Sequence, residues 1–221
     1  RLPMDNTHTI RHIVWDWNGT LLDDLDLCLT ALHELGRPRG IPPVTLETYR
    51  ERFTFPVVEY YKALGFDPSP KAFEEAAREW VRMYADRVYS ASWLYEGAVE
   101  TLACLRDAGL RQCLVSAHQH DMLLAAVRHF GVFDYFDTIR GLHNHYAESK
   151  IDLGRQWLAE LAPPREAVLM IGDTLHDLEV ANELGVRCLL VAQGHQSETR
   201  LRATGAPVIA SIRDVPAFLT L

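Results

Sequence analysis

From residue 91 to the end, short apolar runs alternate with stretches whose apolar residues recur every three or four positions. "AVETLACLRDAG" and "HDMLLAAVRHFG" read as helices stopped by Gly109 and Gly131, with "LRQCLVSA" between them as a strand. "TIRGL", "AVLMIGDT", "VRCLLVAQ" and "PVIASI" continue the strands. "IDLGRQWLAEL", closed by Pro163-Pro164, then "LHDLEVANELG" and "SETRLRATG" continue the helices. This alternation implies right-handed crossovers and a parallel sheet covered by helices on both faces. A first strand, His12 to Trp17, stands far upstream. Between it and the rest no strand run is expected, only helical patterns. They are "LDLCLTALHELG" with Gly36 as C-cap, "LETYRERF", "PVVEYYKALGF" with Pro56 at its start, and "AFEEAAREWVRMYADRV". Ser69 and Pro70 are the expected N-cap and first helical residue of the last. The expected fold is therefore α/β. A Rossmann-like parallel-sheet core, 1–22 and 91–221, is interrupted by an all-helical insertion at 23–90.

A formal charge of −8 with no basic run argues against nucleic acid and anionic membrane as main partners. A small anion held locally remains compatible with it. No apolar stretch approaches the roughly 20 residues of a membrane helix. The N-terminal RLPMDNTHTIRH has no apolar signal core, and the residues before Met4 read as an expression remnant. Cys28, Cys104, Cys113 and Cys188 form no C-x-x-C pair and read as buried, reduced thiols. The expected location is cytoplasmic.

In open parallel sheets, ligands bind outside the carboxyl ends of the strands. The residues at those ends therefore carry the chemistry. The first strand ends in Asp16, the second in Ser116, and the fourth in Gly172-Asp173 with Asp177 four residues on. Lys150, one of three lysines in the chain, stands just before the helix preceding that fourth strand. Crowded carboxylates need a cation, and hard oxygen ligands suit Mg²⁺. A metal, a lysine and a hydroxyl form a cradle for a phosphoryl group, with Asp16 placed as carboxylate nucleophile.

"DWNGTLLD", Ser116, Lys150 and "IGDTLHD" resemble, in order and spacing, the four motifs of the haloacid dehalogenase superfamily. The helical insertion after the first motif looks like that superfamily's C1 cap, and the tail from "LLVAQGHQSE" resembles phosphoglycolate-phosphatase-like members. The resemblance implies that Asp16 attacks phosphorus and becomes a transient aspartyl phosphate. It implies Mg²⁺ held by Asp16, the backbone carbonyl of Asn18 and Asp173, with Asp177 supporting the metal through water or Lys150. Thr20, Ser116, its neighbour Ala117, and Lys150 are the implied phosphate contacts, and the substrate is a small phosphate ester. Phosphoglycolate is the default substrate for the family. A metal-free dehalogenase fits less well, because Asp173 and Asp177 are costly together without a cation.

Asn18 departs from the pattern. The family's phosphatases usually carry aspartate there, which protonates the leaving alcohol. An amide hydrogen-bonds but does not trade protons at neutral pH. Losing a general acid costs roughly 10²–10⁴-fold in rate. Four answers are open. The leaving group needs no acid, as with acyl or aryl phosphates. A histidine beside the motifs supplies the proton, the candidates being His118, His120, His143, His145 and His176. The cap supplies other chemistry, since "DWNGT" is similar to the "DWAGT" of phosphonoacetaldehyde hydrolases, with Lys62 the cap lysine that would form a Schiff base. Or activity is weak, leaving a phosphate-binding protein. The cap loop at Thr54, Phe55 and Pro56 is expected to face the site and select substrate, with Phe55 in contact and Arg50 and Arg52 as candidate anion contacts. Cap closure would exclude water.

Overall fold

The computed structural model describes residues 10–143 and 149–221. Six parallel strands form one sheet in the order β5-β4-β1-β6-β7-β8. They are β1 His12–Trp15, β4 Arg111–Gln119, β5 Thr138–Leu142, β6 Val168–Gly172, β7 Arg187–Val191 and β8 Val208–Ile209. β1 lies in the middle, paired in register to β4 on one side and β6 on the other. The chain first builds outward through β4 and β5, then crosses back to build β6, β7 and β8. That reversal next to β1 opens a crevice at the carboxyl edge, where such sheets bind ligands.

Period-two burial explains why these runs are central strands. Ile13 and Trp15 of β1 pack with Leu169 and Ile171 of β6 on one face. Val14 packs with Val168 and Met170 on the other. Both faces are apolar because both are covered by helices: α5 Ala98–Asp107, α6 His120–His129, α7 Lys150–Leu161, α8 Leu175–Leu184, α9 Glu198–Arg202 and α10 Val215–Phe218. Each buried Leu, Ile or Val contributes on the order of 1.5–3 kcal/mol relative to exposure.

The insertion consists of α1 Leu25–Gly36, α2 Leu46–Arg52, α3 Val57–Ala63 and α4 Pro70–Ala91. It has its own cluster, rich in aromatics, around Leu32, Leu35, Tyr49, Tyr60 and Tyr61. The ion pair from Arg87 to Glu34 ties α4 to α1, and that from Arg39 to Glu79 ties the 3₁₀ turn after α1 to α4.

Several local expectations change. A two-residue antiparallel ribbon, β2 Leu22–Asp23 with β3 Trp93–Leu94, joins the insertion to the core where no strand was expected. β1 ends at Trp15, because Asp16 and Trp17 leave the ladder to begin the loop. β4 does not end near Ser116; after a register shift beyond Val115 it continues to Gln119 beside β5. Gly36 is right-handed and inside α1, and the reversal comes at Gly40 (φ 70°), after a 3₁₀ turn at Arg37–Arg39. Pro56 precedes α3 rather than starting it. Ser69 occupies the N-cap position of α4 but makes no capping bond with its side chain, while Pro70 opens the helix as expected.

Candidate active site

The loop after β1 turns at once. The amides of Leu21 and Leu22 return to the carbonyl of Trp17, and Gly19 is left-handed at φ 74°. A Cβ on Gly19 would stand 2.3 Å from Asp173 Oδ2 and 2.4 Å from the His195 ring. Across the crevice, a Cβ on Gly194 would stand 2.1 Å from the same carboxylate oxygen and 2.4 Å from the Gly19 carbonyl. Two glycines thus let the loops after β1 and β7 close on Asp173, which follows β6. The Asp173 carboxylate accepts from Thr20 Oγ1 at 2.9 Å and from the His195 amide at 2.7 Å.

Lys150 is the first residue of α7, which starts with a Ser149/Asp152 capping box. Its ammonium donates to Asp16 Oδ1 and Asp177 Oδ1, both at 2.6 Å. Asp177 also closes the capping box of α8, accepting from the Thr174 amide at 3.0 Å and hydroxyl at 2.7 Å. Ligand oxygens of Asp16, Asp173 and Asp177 lie within 4.8 Å of one another, all buried. Burial, followed by the charges of Asp177 and Asp173, outweighs the pull of Lys150 and pushes the Asp16 carboxyl up to about 7. Burial pushes Asp173 up to about 6 against the pull of His195. Burial also works against Asp177, but the Lys150 charge and hydrogen bonds hold it below the usual range. One ammonium between two carboxylates neutralises neither the third nor the whole, so the cluster is short of positive charge.

Asn18 points away from this cluster into a second one. Its amide donates to Asp24 Oδ2 at 2.7 Å and lies 2.8 Å from the Tyr84 hydroxyl, which also donates to Asp24 at 2.7 Å. The other Asp24 oxygen is 3.2 Å from His195 Nε2, and His195 Nδ1 is 3.0 Å from the Tyr49 hydroxyl. Burial disfavours both charges, yet His195 and the hydrogen bonds hold Asp24 down at about 2. The Asp24 charge, against burial, raises His195 to about 9. The pair is therefore ionised at neutral pH. The identity of residue 18 follows from it: beside a buried carboxylate, an amide donates where a second carboxylate would repel.

These groups floor a cavity of about 340 Å³ that reaches into the insertion. Asp16, Asn18, Ser116, Ala117, Phe55, Lys150 and Asp177 line it, as the sequence leads one to expect. Thr20 and Asp173 do not; both are fully buried, and Thr20 donates to Asp173. Ser116 lies within β4, and its hydroxyl accepts from the His118 amide at 3.1 Å. Arg50 is no anion contact. It donates to the carbonyls of Gln193 and Gly194 and so latches α2 to the loop after β7. Arg200 and Gln196 complete that latch on the carbonyls of Arg50 and Phe53. Arg52 is exposed and lines no part of the cavity. Lys62 is 60% exposed, near Glu59 and outside the cavity, so the Schiff-base reading has no lysine. His118 and His176 line the cavity, whereas His120 and His143 pack on each other outside it. His145 and the segment before Met4 lie outside the described residues.

Asp24, His195, Tyr49 and Tyr84 were not picked out from the sequence. The strand-end rule that found Asp16 and Asp173 would have found His195, which leaves β7 at the same edge.

The chain matches the haloacid dehalogenase-like hydrolase family over residues 13–191 and belongs to it. Within that family it is similar to proteins with different names. The tyrosine-protein kinase PtkA of Mycobacterium tuberculosis is 28% identical over 202 residues, 89% of this chain and 67% of that protein. The phosphoglycolate phosphatase of Thiobacillus denitrificans is 27% identical over 195 residues, 84% of this chain and 85% of that protein. Among solved structures, a haloacid dehalogenase-like hydrolase from Streptococcus pneumoniae superposes with a TM-score of 0.82 at 20% identity, covering 96% of this chain and 99% of that one.

Proposed function

We propose that the protein is a Mg²⁺-dependent phosphatase of a small phosphate ester, working through an aspartyl phosphate on Asp16. The observation that carries this reading is the convergence of Asp16, Lys150, Asp173 and Asp177 on one buried floor under a cavity. The acidic cluster suits a hard cation: three buried carboxylates share one ammonium, and two of them have raised pKa values. Asp16, Asp173 and the Asn18 carbonyl would hold Mg²⁺, with Asp177 behind them. When bound, the ion would neutralise phosphoryl charge.

The chain's own groups do the rest. Asp16 is the nucleophile, and the hydrogen bond from Lys150 favours its ionised form against burial and fixes one of its oxygens. Lys150, the Ser116 hydroxyl and the backbone at Ala117 bind phosphoryl oxygens. Thr20, Gly19 and Gly194 position Asp173. Asn18 moves no proton; its side chain holds Asp24. Residues 23–90 act as the cap over a core of 1–22 and 91–221, and the contacts of Arg50 and Arg200 hold the cap closed and water out. Among the described residues no helix is long and apolar enough to cross a membrane. The free cysteines support a cytoplasmic enzyme, and the acidic charge favours a small phosphorylated substrate over nucleic acid or anionic membrane.

Turnover of para-nitrophenyl phosphate and acetyl phosphate with Mg²⁺ tests the reading. The expected result is turnover that Asp16→Asn abolishes. Binding of phosphate and Mg²⁺ with no turnover of either compound would sink it.

A further inference from the structure

We infer that the ester carries an aromatic alcohol: the substrate is an aryl phosphate with an uncharged aryl group rather than a phosphorylated hydroxy acid. The inference rests on the phosphatase reading and adds the leaving group to it. Two independent observations point the same way. The first is the cavity above Asp16. Tyr49, Phe53, Phe55, Tyr60, Trp80 and Tyr84 supply its walls. Phe53 packs edge-on to Phe55 and Tyr60, and Trp80 stacks on Tyr84 at 5.0 Å, so the rings form two aromatic patches on the wall. Among the described residues no arginine lines it, and Lys150, its one lysine, is engaged by Asp16 and Asp177. Of the two arginines before the cap loop, Arg50 is spent on core carbonyls and Arg52 is exposed and outside the cavity. The ionised His195 on the same wall is likewise taken, by Asp24, so a substrate carboxylate would lose its water there with no unpaired lysine, arginine or His195 charge to meet it, whereas an aromatic ring gains area and edge-to-face contacts. The buried Tyr60 hydroxyl has no hydrogen-bond partner among the described residues.

The second observation is Asn18. Asp16 forms the P–O bond as the ester P–O bond breaks, and the electron pair departs on the alcohol oxygen. With no acid at position 18 the alcohol leaves as its anion and takes a proton from solvent later. A phenol, pKa roughly 10, tolerates this. An alkanol, near water at roughly 16, does not. Water then attacks phosphorus of the aspartyl phosphate, the bond from phosphorus to Asp16 breaks, Asp16 leaves as carboxylate, and the protons of the water pass to inorganic phosphate and solvent.

The test compares phenyl phosphate, cyclohexyl phosphate and phosphoglycolate with the Mg²⁺-loaded enzyme. Phenyl and cyclohexyl phosphate share size and apolarity and differ in leaving group. The expected result is KM or Ki values for these two within about 3-fold, and kcat at least roughly 100-fold higher for phenyl phosphate. Phosphoglycolate is expected to bind at least roughly 10-fold more weakly. Phe55→Ala, at an exposed rim position, should raise KM for phenyl phosphate several-fold while leaving inhibition by inorganic phosphate within 2-fold. Phe55→Arg should narrow the preference against phosphoglycolate. Turnover of phosphoglycolate as efficient as that of phenyl phosphate would overturn the inference and leave the phosphatase reading standing. If nothing is turned over, the phosphatase reading fails. Calorimetry with benzylphosphonate and phosphonoacetate then decides the site: roughly 10-fold tighter benzylphosphonate upholds aromatic recognition, and equal binding ends it.

Discussion

Replacing Asn18 by aspartate restores the residue type common in the family's phosphatases, yet here it is expected to damage the protein. The Asn18 amide is a donor 2.7 Å from Asp24 Oδ2. The substitution removes the donor and sets a second carboxylate against a buried one that is ionised, with Asp24 held at about 2. Two charges about 4 Å apart repel by about 4 kcal/mol at an effective dielectric constant of about 20. That equals roughly three pKa units, so the new carboxyl should titrate near 7 in the folded state against about 3.9 unfolded. A raised acid pKa means the folded state holds the proton longer. Stability relative to wild type is thus nearly intact at pH 4, falls as pH rises, and levels off above about 7. With His195 opposing part of the repulsion, the deficit at pH 8 is about 2–4 kcal/mol. That corresponds to a melting temperature lower by roughly 5–15 °C for a chain of this size. Thermal melts of wild type, Asn18→Asp and the exchange Asn18→Asp/Asp24→Asn, in EDTA from pH 4.5 to 8.5, measure it. The exchange should recover at least half of the loss, because an amide at 24 can donate to a carboxylate at 18. An Asn18→Asp protein melting within 2 °C of wild type at pH 8, or with a pH-independent deficit, would refute the reasoning.

Mg²⁺ should raise the melting temperature far more at pH 8 than at pH 5, because Asp16 and Asp173, pushed up to about 7 and about 6, must lose protons to bind it. An equal shift at both pH values would count against metal at these carboxylates. The His195 pKa is raised to about 9 from an unfolded value near 6.5, so its contribution is complete below 6.5 and is lost as pH rises through 9. Wild type in EDTA should therefore lose up to about 3 kcal/mol across that window, and His195→Gln should show little of that slope by thermal melts. Gly194→Ala drives a Cβ toward Asp173 and the Gly19 carbonyl. It should weaken Mg²⁺ affinity, read by calorimetry, by roughly 10–100-fold, and an unchanged affinity would mean that Asp173 has room to move.

Much of the site was legible because its pieces are local. Asp16, Asp173 and Asp177 follow strands whose burial pattern is written in adjacent residues, and Lys150 and Asp177 stand at helix starts that Ser149 and Thr174 mark. Chain order alone brings such residues to one edge once the sheet is parallel. The length of β4 was not legible, because its last residues pair with β5 only through a register shift that no short window contains. Nor was the work of Arg50, whose partners are carbonyls 143 and 144 residues away.

The alternation of strand and helix, the site of the insertion and the carboxylate floor were thus determined by the sequence itself, since periodicity and capping act over a few residues. The web of Asn18, Asp24, Tyr84 and His195, and the aromatic chamber above it, were decided only by the tertiary structure. Asp24 and His195 lie 171 positions apart. Their charges become a pair, and Asn18 becomes the fitting residue beside them, only when folding removes water from all of them at once.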